Sequence, residues 1–315
     1  MRQRGAGPCL SCLEPTSSEH GYHPSCLVGL FGTSSPPIVD VDLARLHTLA
    51  LAMVGRTSIS GIQRKISMRL SADRTTLQVA IEGGRFLLKP QAGTYPNLPE
   101  NEHVTTQIAR RAGIEIPPCA LFRLKDGSVA YLVVRFDRLP QGGKLRQEDF
   151  CQLADKSPKE KYDGSAELCA RIVRRFASEP GVALVELFRR NVFAWWTGNG
   201  DMHLKNYSLL AGADGRHRLS PAYDQICTRL VIRGDQLALP VGGKRDRLSR
   251  KAWLSHAAYC GLAARAAERV LAEIVGALPD GLAVIERSLL DAAMRSEYAA
   301  LLTERARLLA GGGRR

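Results

Sequence analysis

Residues 197–210 read TGNGDMHLKNYSLL and place an Asp, a His, a Lys and an Asn within six positions. Asp201 and Asn206 are five apart, a spacing that does not make an ordinary ion pair or hydrogen-bonded pair along one helix face. The apolar run VFAWW precedes the cluster and YSLL, a strand-like segment, follows it. A polar loop held between two buried elements is where a rigid scaffold commonly carries chemistry. The pattern D-x-x-x-x-N suits phosphoryl transfer, which needs a carboxylate to orient the attacking hydroxyl and an oxygen ligand for a metal ion. Asp224, in SPAYDQ, stands where a second metal-binding carboxylate is expected, after a hairpin. Asn206 and Asp224 together offer the hard oxygen donors that Mg²⁺ prefers.

Two further residues fit this chemistry. Lys89 ends the strand-like RFLLK, the place of a phosphate-contacting lysine, and Glu102 in the next helical segment is its expected partner. The plainer alternative is an exposed pair of no consequence. A G-x-G-x-x-G loop is missing, and TSISGIQRK at 57–65 stands in its place. No G-x-x-x-x-G-K-[ST] occurs, which excludes a P-loop NTPase.

The elements that must position these residues follow from periodicity. ISMRLS, TLQVAIEGG, RFLLKP, PCALFRL and VAYLVVRF predict strands, with ENEHVTTQIARRAG as a helix among them and DLARLHTLALAMVG as a helix before them. After Pro140, EDFCQLAD, GSAELCARIVRRFAS, ALVELFRRNVFAWWTG and most of 250–310 have helical spacing, interrupted by a hairpin from YSLL to RLSPAYD. The expected class is α+β with a bilobed, protein-kinase-like fold: a small β-rich N-lobe over 36–140 and a mostly helical C-lobe over 141–315. The first 35 residues, rich in Cys, Gly, Pro and Ser, form a short N-terminal module.

With 315 residues and 45% hydrophobic content, the chain has enough material for a substantial core. No run reaches the roughly 20 apolar residues of a membrane span, and MRQRGAGPCLSCLEP lacks a secretory signal's apolar stretch, so a cytoplasmic protein is expected. The net charge of +13 suits an acidic partner, protein or nucleic acid, but it is spread along the chain with no block of like charge, and a solvated basic surface is the alternative reading. Cys119, Cys151, Cys169 and Cys227 read as small buried hydrophobes. Cys9, Cys12, His23 and Cys26 differ, forming C-x2-C-x10-H-x2-C, which suits a structural, tetrahedral Zn²⁺. His20 is an alternative to His23, and a reduced turn without metal is the alternative to zinc.

SISGIQRK, FLLKP, PENEH, VVRFDR, QEDFCQ, KYDG, NGDMHLKNYSLL and PAYD together resemble the successive motifs of the HipA family of toxin kinases, from about residue 27 onward. The resemblance implies a serine/threonine kinase that phosphorylates an aminoacyl-tRNA synthetase, stalls translation and is restrained by an antitoxin. It implies Asp201 as the catalytic residue, Asn206 and Asp224 as Mg²⁺ ligands, and Lys89 on the ATP phosphates. The backbone of Val134, Arg135 and Phe136 would hold adenine, although the family often has an acidic residue where Val134 stands. His203, Leu204, Lys205 and Tyr223 would lie along the nucleotide. Ser60, Gly61, Ile62, Gln63, Arg64 and Lys65 would cover its phosphates, with Ser58 and Ser60 as autophosphorylation positions. The chain is shorter than the full-length HipA pattern, and the paired serines resemble the compact HipT form. That form implies a tryptophanyl rather than glutamyl synthetase as target, a HipB-like DNA-binding antitoxin and a separate HipS-like small protein as partners, and DNA reached only through the antitoxin. Two other readings stand beside this one: a small-molecule phosphotransferase of the aminoglycoside type, and a non-catalytic binding module in a DNA-bound antitoxin complex.

Overall fold

The computed structural model describes residues 7–39, 65–93 and 95–311 together with Ala44, Arg45 and Thr48. Ser58, Ser60, Gly61, Ile62, Gln63 and Arg64, and most of the helix expected over DLARLHTLALAMVG, lie outside the described residues. The chain divides into two compact units, the first made of residues up to 107 with 117–144 and 287–290, the second of 108–116, 145–286 and the remainder.

The first unit is built on an antiparallel five-stranded sheet whose strands are β3 (Ile66–Leu70), β4 (Leu77–Val79), β5 (Phe86–Pro90), β6 (Cys119–Arg123) and β7 (Val129–Val134). Their order across the sheet is β4-β3-β5-β7-β6. Each was expected from its alternating or continuous apolar run. Gly84, before β5, lies so close to β3 that a Cβ there would stand 2.0 Å from Ser67 Oγ. Helix α2 (Leu98–Arg111) carries Glu102. At the amino-terminal side, β1 (Gly7–Pro8) pairs with β2 (Pro15–Thr16), and α1 (Pro24–Phe31) follows. α1 buries Leu27, Leu30 and Phe31. The Phe31 ring lies 5.4 Å from Phe86 and 5.7 Å from Phe122, so the module shares the core of the sheet. Burying a ring of that size contributes roughly 1.5–3 kcal/mol.

The second unit is mainly helical. It contains α3 (Phe150–Leu153), α4 (Ala166–Phe176), α5 (Pro180–Thr197), α6 (Arg250–Tyr259), α7 (Ala264–Gly276), α8 (Leu278–Arg287) and α9 (Ala292–Ala310). Arg287, the last residue of α8, belongs to the first unit. Trp195, Trp196 and Trp253 are fully buried, and the Trp196 indole N–H donates to the Leu302 carbonyl of α9 at 3.0 Å. The hairpin expected here is β9 (Ser208–Ala211) with β10 (His217–Leu219). One assignment changes. EDFCQLAD has helical spacing, yet Gln147–Asp149 forms a strand, β8, on β9. Helix α3 begins only at Phe150, because the Asp149 side chain caps the Gln152 amide in a reciprocal capping box. The pairing of β8 with a strand some 60 residues later is invisible to local periodicity.

Candidate active site

Helix α5 delivers the polar loop. It starts with Pro180 in its first turn and ends at Gly198, whose φ of +74° closes the helix in the left-handed region that suits glycine. The loop then folds onto fixed partners within the second unit. The Asp201 amide donates to Asn199 Oδ1 at 3.0 Å, and the Gly200 amide donates to Thr228 Oγ1 at 2.7 Å. The Thr228 hydroxyl, with one proton to give, in turn lies within donating distance of two acceptors, the Gly198 carbonyl and the Asp235 carboxylate. A Cβ on Gly200 would lie 2.0 Å from Asp235 Oδ2 and 2.5 Å from the Gln236 carbonyl, so the loop passes where only glycine fits.

Asp201 and Asn206 are brought together by this folding. Asn206 Nδ2 donates to the Asp201 carbonyl at 2.7 Å, and the His203 amide donates to the same oxygen at 2.8 Å. With its Nδ2 committed, Asn206 presents Oδ1 as its acceptor, the atom a hard cation takes. Asn206 is only 7% exposed, whereas the Asp201 side chain is 45% exposed and accepts a hydrogen bond from Tyr162 Oη at 2.6 Å. Asp224 takes a φ of +53°, uncommon for a residue with a Cβ, and its carbonyl accepts from Asn199 Nδ2 at 3.4 Å. Asn199 therefore ties together the segments carrying Asp201 and Asp224. An Asn206 carbonyl oxygen and an Asp224 carboxylate are a fitting donor set for Mg²⁺.

The other residues expected along a nucleotide have internal partners. His203 is buried, its ring against the Tyr162 ring at 5.1 Å, and its Nδ1 has no hydrogen-bond partner among the described residues. Burial lowers its pKa, with the Asp201 carboxylate opposing. Leu204 is a fully buried core residue. Lys205 Nζ donates to Asp149 Oδ2 at 2.7 Å. Tyr223 Oη donates to the Lys205 carbonyl at 2.8 Å and holds the loop from behind.

His256, outside the loop, is also buried and also has a lowered pKa, set by burial against the opposing Glu167. Below the ordinary value of 6.5, the unfolded chain takes up protons that folded His203 and His256 refuse. Stability is therefore expected to fall as pH drops below 6.5, with a limiting slope of about 1.4 kcal/mol per pH unit for each histidine, until the folded-state pKa is passed. Unfolding midpoints between pH 7 and 5 check this: the slope should be shallower in His256→Gln, and an unchanged slope would contradict it.

In the first unit, Lys89 and Glu102 form an ion pair, with both side chains 3% exposed. The exposed-pair alternative therefore does not hold. The Lys89 ammonium also faces the Tyr131 ring, 5.6 Å from its centroid. In the segment expected to hold adenine, the Val134 amide donates to the Pro118 carbonyl and the Arg135 amide to the Arg85 carbonyl, both at 2.8 Å. Arg135 and Arg138 both pair with the buried Asp137 carboxylate, which their charges hold below its ordinary pKa against the effect of burial. Lys65 leads directly into β3.

Sequence reasoning assigned no role to Tyr162, Asn199, Thr228, Asp149 or Asp235. KYDG and QEDFCQ, as motifs, contained Tyr162 and Asp149. Thr228 and Asp235 carry no local signal. In the amino-terminal module the ligand atoms of Cys9, Cys12, His23 and Cys26 lie within 4.8 Å of one another, while His20 is exposed and outside the group.

The chain is similar to known proteins in sequence and in fold. Residues 57–282 match the HipA-like C-terminal domain. "Putative kinase Y4dM" of Sinorhizobium fredii is 33% identical over 222 residues, 66% of this chain and 53% of that protein. A "Putative kinase" of Haemophilus influenzae is 29% identical over 203 residues, 60% of this chain and 59% of that protein. The chain thus spans between half and three fifths of these relatives' length. Among solved structures, Shewanella oneidensis HipA, in complex with HipB and operator DNA, superposes with a TM-score of 0.67 at 19% identity, covering 82% of this chain and 67% of that one. The Helicobacter pylori proinflammatory kinase CtkA gives a TM-score of 0.56 at 13% identity, covering 81% of this chain and 94% of that one. The fold is that of these kinases, a small β-sheet lobe and a helical region. The match to the family domain covers most of the chain, and the chain belongs to the HipA-like family.

Proposed function

We propose that this chain is an ATP-dependent serine/threonine protein kinase acting in the cytoplasm as the toxin of a toxin–antitoxin system. The observation that carries the reading is the loop in which Asn206 holds the Asp201 backbone while the Asp201 carboxylate stays partly open to solvent. Mg-ATP supplies the phosphoryl group. Asp201 orients the substrate hydroxyl and accepts its proton as the oxygen attacks. Asn206 Oδ1 and the Asp224 carboxylate hold Mg²⁺, and Lys89, fixed by Glu102, offsets charge on the phosphate oxygens. Ser60 to Lys65 cover those phosphates. A phosphate on Ser58 or Ser60 adds close to two negative charges beside them and switches the enzyme off.

The substrate is an aminoacyl-tRNA synthetase, tryptophanyl in preference to glutamyl, a choice supported by the paired serines of SISG, which resemble the HipT form. The antitoxin is a HipB-like DNA-binding protein, as in the Shewanella complex, together with a HipS-like small protein. DNA is met only through the antitoxin. Incubation with Mg-ATP and each purified synthetase tests the substrate. Phosphoserine on the tryptophanyl enzyme is expected, and phosphate on neither enzyme would sink the synthetase assignment.

A further inference from the structure

The loop between Cys9 and Cys12 is a tight knuckle. The Cys9 amide donates to the Glu14 carbonyl at 2.8 Å, the Leu13 amide returns to the Cys9 carbonyl at 2.9 Å, and Leu13 takes a φ of +62°. This turn and α1 converge four soft or borderline ligand atoms. His23 Nδ1 lies 3.3 Å from Cys12 Sγ and 4.0 Å from Cys26 Sγ, and the His23 amide points at Cys9 Sγ from 3.4 Å. Ligand atoms around a tetrahedral zinc stand about 3.5–3.8 Å apart, given Zn–S of about 2.3 Å and Zn–N of about 2.0 Å. The two distances from His23 Nδ1 bracket that range. His23 Nε2 lies 3.0 Å from the Pro15 carbonyl. That oxygen can only accept, so the proton sits on Nε2 and Nδ1 keeps its lone pair toward the cysteines. Three thiols and one imidazole make a poor disulfide set, since any one bridge strands the third cysteine.

What the knuckle touches is as informative as what it could bind. Its backbone carbonyls are committed to the rest of the first unit. The Leu10 carbonyl accepts from the Leu121 amide at 2.7 Å on the edge strand β6, and the Leu13 carbonyl accepts from Arg287 Nε at 2.8 Å. The Ser11 carbonyl accepts from His103 Nε2 at 2.8 Å, while Ser11 Oγ donates to the Cys119 carbonyl at 2.9 Å. His103 is the residue after Glu102 on α2, and its ring lies 6.2 Å from Tyr131, the residue facing Lys89. A short path therefore runs from the Cys9–Cys12 turn through His103 to the Lys89–Glu102 pair.

We propose that Cys9, Cys12, His23 and Cys26 bind one structural zinc ion, and that this ion fixes the knuckle that braces α2 and so holds Glu102 on Lys89. Zinc binding stands on the ligand geometry alone, whereas its consequence for phosphoryl transfer rests on the kinase reading. The 315-residue chain, purified without chelator, is expected to contain about one zinc per chain, released when a mercurial titrates its thiols, and Cys26→Ser is expected to lose it. Zinc far below one per chain, in protein made with zinc supplied, would overturn the site. The brace is read by hydrogen exchange of α2 amides. Exchange should quicken on zinc release in the wild type. It should also quicken in His103→Leu with zinc retained, and be restored in His103→Gln, whose amide can still donate to Ser11. Unchanged α2 exchange would overturn the brace. Mg-ATP affinity is expected to weaken roughly fivefold or more in parallel. Faster α2 exchange in a protein that never binds Mg-ATP would leave the zinc brace standing and sink the kinase reading instead.

Discussion

Replacing Asp201 with Asn is expected to reduce phosphoryl transfer about a thousandfold while leaving Mg-ATP affinity within a few-fold of wild type. The substitution keeps the side chain's shape and an acceptor oxygen for Tyr162 Oη, whose bond to Asp201 is 2.6 Å. The backbone bonds that hold the loop, from Asn206 and His203 to the Asp201 carbonyl, do not involve the side chain. What is lost is the carboxylate's ability to take a proton, so the defect belongs in the transfer step and not in folding or binding. Single-turnover kinetics alongside equilibrium Mg-ATP binding separate the two. A variant that transfers at the wild-type rate would remove Asp201 from the chemistry.

The second large effect is expected from Glu102→Ala. Lys89 and Glu102 are both 3% exposed, so deleting the carboxylate removes a negative charge that is paired with a buried ammonium. Breaking a buried pair in this way costs about 3–5 kcal/mol, far above the roughly 0–1 kcal/mol of an exposed pair. Its thermal unfolding midpoint should fall by several degrees. Substituting both partners, as Lys89→Met with Glu102→Leu, removes the buried ammonium as well and is expected to recover most of the stability. The double variant should nevertheless bind Mg-ATP poorly, because the cation meant for the phosphates is gone. Recovered stability together with unaltered nucleotide affinity would mean that the pair is structural only.

Much of this arrangement was legible in the sequence because it rests on local rules. The Asp201–Asn206 spacing, the Gly198 helix stop and the alternating strands of the five-stranded sheet are each set within a few residues. The sequence order of Lys89 and Glu102 likewise announces a strand followed by a helix, and the structure has them on β5 and α2. The structure adds long-range partners that no window of sequence contains. Lys205 meets Asp149 across 56 positions, and Gly200 meets Thr228 across 28. Glu148 and Asp149, the first residues of EDFCQLAD, have no strand signature of their own and join Gln147 in a strand only by pairing with β9. His23 rather than His20 joins the cysteines because the turn before α1 aims Nδ1 inward, a matter of backbone geometry that spacing alone leaves open.

The central claim is that this chain transfers phosphate from ATP by way of Asp201. Intact mass of dephosphorylated protein, before and after incubation with Mg-ATP, tests it most directly. The wild type should gain one or two phosphates, mapping to Ser58 and Ser60, and Asp201→Asn should gain none. An equal gain in both proteins would contradict the role of Asp201, and no gain in a wild type that also fails to label any protein substrate would contradict the kinase itself.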